Sequence, residues 1–149
     1  MTAADVDGVM YLAAGLPHTP HWSREVYLGL IDPEAAVRRV ALIAENASSR
    51  ELAGFVVASL APPEAELEAI AAAARFQRRG IARQLFEAVE REIQLAQVTG
   101  MTLEVRVSNL GAQALYRSVG FAEVGWRPSY YAEPVEDAIL MRLTFTDPV

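Results

Sequence analysis

Gln77-Arg78-Arg79-Gly80-Ile81-Ala82 decides how the rest of this chain is read. The hexapeptide stands where an apolar, strand-like run gives way to a long amphipathic helical pattern. A glycine-bearing turn that opens a helix leaves the first backbone N–H groups without intrahelical partners, and the arginines add fixed positive charge. Such a turn is a seat for a diphosphate. Many surface helices also begin with Gly and Arg, so the neighbouring segments carry the decision.

Downstream, Ile81, Leu85, Val89, Ile93 and Ala96 recur every three or four positions to about Val98, while Arg83, Glu87, Arg91 and Gln94 share the other side. This predicts an amphipathic helix with a Glu87/Arg91 pair one turn apart, ended by Gly100. From Met101 to Val107, Leu103, Val105 and Val107 alternate with Thr102, Glu104 and Arg106, a strand pattern. Ser108 or Asn109 caps a further helix to Val119, with Gly120 in its left-handed terminal position. Phe121 to Trp126 and Ala138 to Phe145 read as the last two strands, separated by a Tyr-, Pro- and acid-rich loop.

Upstream, Val40 to Glu45, Leu52 to Leu60 and Ala65 to Ala73 are apolar runs broken at 46–50 and at Pro62-Pro63, as in an antiparallel meander. The third is Ala-rich and reads as a strand because the helical pattern restarts a few residues later, at Gly80. Ala4 to Ala14 has helical spacing, and Ser23 caps a second short helix ending near Ile31-Asp32-Pro33. Two helices, three strands, helix, strand, helix and two strands make a mixed α/β sheet with helices on both faces.

The 149 residues fit one domain, 1–149, able to bury a core unaided, and 52% hydrophobic with 21% charged residues is an ordinary soluble composition. The absence of cysteine excludes a disulfide framework, a Cys-based zinc site and a covalent thioester on the enzyme. A net charge of −6 speaks against general nucleic-acid binding but suits a basic peptide or amine partner. No apolar stretch approaches the roughly 20 residues that span a bilayer, and there is no signal-peptide pattern, so a cytoplasmic protein without a membrane partner is expected. His18 and His21 read as loop residues, and no metal site is expected.

Taken together, the glycine turn, Leu103-Glu104-Val105-Arg106, Ser108-Asn109, Ala114-Leu115-Tyr116 and Gly120-Phe121 resemble the GNAT acyl-CoA-dependent N-acetyltransferases. Trp22-Ser23, Tyr130-Tyr131 and Glu136-Asp137-Ala138 leading to Met141 are similar to the RimI type within them, which acetylates the N-terminal alanine of a small-subunit ribosomal protein. The resemblance covers nearly the whole chain. It implies a mostly antiparallel mixed sheet with a V-shaped cleft between two splayed parallel strands, around Ile70 to Ala72 and Met101 to Val107, with acetyl-CoA as co-substrate.

By that resemblance Ile70, Ala71 and Ala72 offer strand backbone to the pantetheine amides. The N–H groups of Arg78, Arg79, Gly80, Ile81 and Ala82 hold the diphosphate, Gln77 and Arg83 belong to the same cofactor site, and Asn109 touches the cofactor. Glu104 is assigned as the base that frees the acceptor amine, whose reference pKa near 8 leaves it mostly protonated at pH 7. Tyr116 is assigned as the acid toward the leaving thiolate. Simpler readings stand beside these: Glu104 paired with Arg106 on the same strand face or simply solvated, Tyr116 as a packing aromatic, Asn109 as a cap alone. Trp22, Tyr130 and Tyr131 would border the acceptor; Glu133, Glu136 and Asp137 are read individually as solvated loop charge.

Two departures from the family pattern stand out. Relatives usually begin with an apolar-Arg-x-Ala strand, whereas Met1-Thr2-Ala3-Ala4-Asp5 enters almost directly at the helix: either the true start lies upstream or that strand is absent, and in its absence Val40 to Glu45 becomes a sheet edge. Ala71-Ala72-Ala73-Ala74-Arg75-Phe76 replaces the usual Val followed by Asp or His and Pro, and Ala69 stands where Asn is common, so a looser entry to the diphosphate turn is expected. The expected activity is direct acetyl transfer in a ternary complex to a protein N-terminus, ribosomal or otherwise, by a monomer or weak homodimer. A small-molecule amine acceptor and a non-catalytic acyl-CoA-binding domain are the rival readings.

Overall fold

The computed structural model describes residues 1–145. After a short 3₁₀ turn, α1 (Val6–Ala14) and α2 (Arg24–Leu30) lead into β1 (Arg38–Glu45), β2 (Leu52–Ala61) and β3 (Glu64–Ala72). α3 (Ile81–Leu95), β4 (Gly100–Arg106), α4 (Leu110–Ser118), β5 (Ala122–Ala132) and β6 (Val135–Thr144) follow. The strands form one sheet in the order β1-β2-β3-β4-β6-β5, antiparallel throughout except for β3 beside β4. The expected element order holds, and β1 is indeed a sheet edge.

Alternation along β2 explains why the sheet is covered on both sides. Val56, Ala58 and Leu60 enter one core with Leu85, Phe86, Val89 and Ile93 of α3, whereas Phe55 and Val57 enter a second with Val6 and Val9 of α1 and Tyr27 of α2. Ser23 caps α2 by accepting the Val26 N–H at 3.2 Å.

The last two strands run longer than their composition suggests. The expected loop between Trp126 and Ala138 is largely ladder, with Arg127 opposite Ala138, Tyr131 opposite Glu136 and Ala132 opposite Val135. Composition hid it: Pro128 and the acidic residues read as loop, but an edge strand tolerates both. At the other end of the pattern, α3 stops at Leu95 and Gly100 opens β4 instead of closing the helix.

β3 and β4 pair only at Glu64–Gly100, Ala65–Met101 and Glu66–Thr102, and then part. A bulge helps to part them. Val57 faces Ala69 but Ala58 faces Leu67, so Glu68 is the extra residue, and the side-chain phase reverses: Leu67 lies in the α3 core, Ala69 and Ala71 in the α1/α2 core. Arg39 holds the bulged Glu68 through Nε at 2.8 Å. At the joined end Arg142 of β6 reaches over Gly100 to grip Glu64 with bonds of 2.6 and 2.7 Å; a Cβ on Gly100 would lie 2.3 Å from Arg142 Nη2.

Gly54 of β2 plays a comparable part under α3. A Cβ there would lie 2.5 Å from the Ala71 carbonyl oxygen, 2.9 Å from Leu85 and 3.1 Å from Ile81. Gly54→Ala must push β3 or the start of α3 outward, at a cost of about 1–3 kcal/mol. A lower urea midpoint together with weaker coenzyme A binding is the expected outcome, read by circular dichroism and calorimetry.

Candidate active site

Where β3 and β4 separate, their facing edges have no strand between them, and two adjoining cavities of about 340 and 590 Å³ occupy the gap. His18, Thr19, Ile70, Asn109 and Ala112 stand in the walls of both. His18, read as a loop residue, therefore sits in a loop that roofs the cleft. Exposed strand edges need hydrogen-bond partners, which a ligand carrying amides can supply.

The larger cavity is lined by Ile70, Ala71, Ala72, Gln77, Arg78, Gly80, Ile81, Ala82, Arg83 and Asn109. Arg79 is not in its wall; its guanidinium lies 5.6 Å from the centre of the Phe76 ring. Arg78 and Gly80 have φ of 63° and 77°, a left-handed pair that folds the segment sharply before α3. No side chain caps α3, so the amides of its first turn remain available to an anion. The entry that was expected to be loose is held by Ala73 N–H on Ala53 O at 2.8 Å and by the burial of Phe76.

The smaller cavity brings together Trp22, Glu104, Tyr116, Tyr130 and Tyr131, five residues drawn from four separate segments. Tyr116 is placed by the end of its own helix. Phe121 N–H bonds to Tyr116 O at 3.0 Å and Gly120 N–H to Arg117 O at 3.1 Å, a Schellman closure that needs the positive φ of Gly120. The accompanying apolar contact is the Tyr116 ring edge-on to Phe121, centroids 5.8 Å apart. α4 is tied to β4 by Gln113, 4% exposed, whose amide donates to the carbonyls of Arg106 at 3.1 Å and Val107 at 2.8 Å. Asn109 is the cap of α4, accepting the Ala112 N–H at 3.2 Å, while also facing both cavities.

Adjacent strand residues normally point to opposite faces, yet Tyr130 and Tyr131 both line the cavity. A register shift between Arg127 and Tyr131 allows it, with Ser129 at φ 51° and its N–H on Asp137 at 2.8 Å. Glu136 is likewise structural: it accepts the Ser108 N–H at 2.5 Å and Arg106 at 3.2 Å, and these bonds hold its carboxyl below the usual range. Arg106, engaged there and stacked 4.2 Å from the Tyr131 centroid, is not the partner of Glu104. That partner is Arg127, at 3.3 Å.

Burial drives the Tyr116 phenol above its ordinary pKa, and burial with the neighbouring Tyr130 takes Tyr131 to about 12. Both stay protonated at neutral pH. Glu66 was missed in the sequence, where Glu64, Glu66 and Glu68 look like one solvated face; only the parallel neighbour β4 reveals that Glu66 shares the cavity with Glu104. Partial desolvation, and then the Glu104 and Glu68 charges, raise its pKa.

The sheet, its split and the anion-ready helix start coincide with a family match. The model of the Acetyltransferase (GNAT) family matches residues 10–121. The chain belongs to the GNAT acetyltransferases. It is accordingly an N-acetyltransferase, an acyltransferase that uses acetyl-CoA as co-substrate, and the free strand edges and helix-start amides suit that molecule's amides and phosphates.

Among relatives, the ribosomal protein bS18-alanine N-acetyltransferase of Salmonella typhimurium is 37% identical over 128 residues, 85% of this chain and 82% of its own. The N-alpha-acetyltransferase RimI of Mycobacterium tuberculosis is 41% identical over 87 residues, 58% of this chain and 53% of its own. The crystal structure of the ribosomal-protein-S18-alanine N-acetyltransferase from Escherichia coli superposes with a TM-score of 0.85 at 28% identity, covering 100% of this chain and 93% of that one.

The raised pKa of Glu66 has a sign that can be tested. A carboxyl that holds its proton more tightly when folded stabilises the fold below its unfolded pKa of about 4.3, and loses that contribution as pH rises through the folded value. Glu66→Gln, which cannot ionise, is therefore expected to melt higher than wild type at pH 7, with the advantage vanishing near pH 4. Thermal scans across that range check it.

Proposed function

We propose that the enzyme acetylates the N-terminal α-amine of a protein in the cytoplasm, by direct transfer within a ternary complex. The relatives named for ribosomal protein bS18-alanine acetylation make such a basic protein terminus the first acceptor to try. One observation carries the reading: Glu104 and Tyr116 line the same cavity, and that cavity adjoins the one bounded by the α3 start. Supporting it, no helix among the described residues is long and apolar enough to cross a membrane.

In this reading Glu104, with only 14% of its side chain exposed, takes a proton from the arriving ammonium. Tyr116, kept neutral by burial, donates its hydrogen bond and proton to the departing thiolate. The backbone edges at Ile70 to Ala72 and the amides from Arg78 to Arg83 would hold the co-substrate, with Asn109 between the two cavities. Trp22, Tyr130 and Tyr131 would enclose the acceptor's first residue.

Coenzyme A release over a panel of Ala-, Ser- and Met-starting peptides and of polyamines tests the proposal. Transfer to peptides is expected, with Glu104→Gln and Tyr116→Phe each lowering kcat by about 100-fold or more. Transfer confined to polyamines would move the acceptor to small molecules, and binding of coenzyme A without any transfer would leave a binding domain.

A further inference from the structure

The smaller cavity holds a second carboxylate beside Glu104 whose position suits more than solvation. Glu66 is opposite Thr102 at the last paired rung of β3 and β4, and Glu104 lies two residues further along β4, on the same face. Both carboxylates line the one cavity with Tyr130 and Tyr131, near enough for the Glu104 charge to act on Glu66. Two carboxylates this close repel unless a proton or a cation lies with them. In the free enzyme a cation is at hand: the Arg127 guanidinium, 3.3 Å from Glu104. Arg127 is 54% exposed and comes from the edge strand β5, so this ion pair is weakly held and its side chain has room to leave.

We infer that Glu66 is an acceptor-binding residue: the acceptor's ammonium is held jointly by Glu66 and Glu104, in the place taken by Arg127 in the free enzyme. The inference rests on the proposed role of Glu104 and adds what that role alone leaves open. An ammonium has three N–H bonds, and one carboxylate fixes only one of them. Glu104 removes one proton, leaving a lone pair aimed at Glu104 that must then turn to face the thioester carbonyl. A second N–H held by Glu66, across the split between the strands, sets that direction.

The protons balance. One N–H proton passes to Glu104, and the nitrogen lone pair forms the C–N bond as the C–S bond breaks. The sulfur takes the Tyr116 proton, the nitrogen proton not held by Glu66 restores the phenol, and the one held by Glu66 stays on the amide. One proton then leaves Glu104 for solvent.

The test is steady-state kinetics on the full chain with an Ala-starting peptide, at saturating acetyl-CoA, for wild type, Glu66→Gln, Glu66→Asp and Arg127→Gln, each checked for folding by thermal melt. Losing a charge-assisted bond to the ammonium is expected to raise the peptide KM of Glu66→Gln by about tenfold or more. The acetyl-CoA KM should be unchanged, and kcat should fall less than in Glu104→Gln. Glu66→Asp should recover part of the loss, a response that a merely structural role would not give. Arg127→Gln, freed of the competing cation, should lower the peptide KM. A Glu66→Gln enzyme with wild-type peptide KM, or an Arg127→Gln enzyme with a raised one, overturns the inference while leaving the proposed function standing. A wild-type enzyme that acetylates no amine overturns both.

Discussion

The structure turns on one interrupted interaction: parallel pairing between β3 and β4 lasts three residue pairs and then stops. In a sheet interior, strand edges without partners are costly, so something must both enforce the split and make use of it. Enforcement comes from side chains at the two ends. The Glu64–Arg142 clasp over Gly100 keeps the strands joined below, and the Glu68 bulge with its Arg39 tether bends β3 away above. Use follows from the proposed function, because the gap meets the start of α3, where amides with no side-chain cap lie beside the open strand edges.

The same split positions the residues proposed for the chemistry. β4 delivers Glu104 to one wall, and α4, clamped to the end of β4 by Gln113, delivers Tyr116. The aromatic pair arrives from the opposite side only because β5 and β6 lose register near Ser129. The side proposed for the acceptor is electrostatically tense: Glu66, Glu104 and Arg127 meet there, while Arg106 and Glu136 satisfy one another a short distance away. Retaining charge of this kind at some cost in stability is ordinary for a functional site.

Local patterns were enough to read the element order, because hydrophobic period and end signals such as Ser23, Asn109 and Gly120 are local properties. The residues that family resemblance names on the cofactor side mostly line one cavity, since the turn at Gly80 and the strand–helix start are contiguous in sequence. Arg79 was the exception: the tight turn that admits Arg78 and Gly80 to the cavity wall leaves Arg79 on Phe76. The acceptor side was legible only in part. Alternation correctly placed Glu104 and Arg106 on one face, but their partners come from β5 and β6 and have no sequence signature on β4. Glu66 was hidden for the same reason, and the strand through Tyr130 and Tyr131 was hidden by its loop-like composition.

Amide hydrogen exchange with and without coenzyme A addresses the central claim, that the free strand edges and the α3 start form the co-substrate's seat. Slowed exchange is predicted at the cleft-facing amides within 67–72 and 103–106 and at Arg78 to Arg83, with β1 and β5 unchanged. Saturable binding with no added protection in those segments would contradict the account.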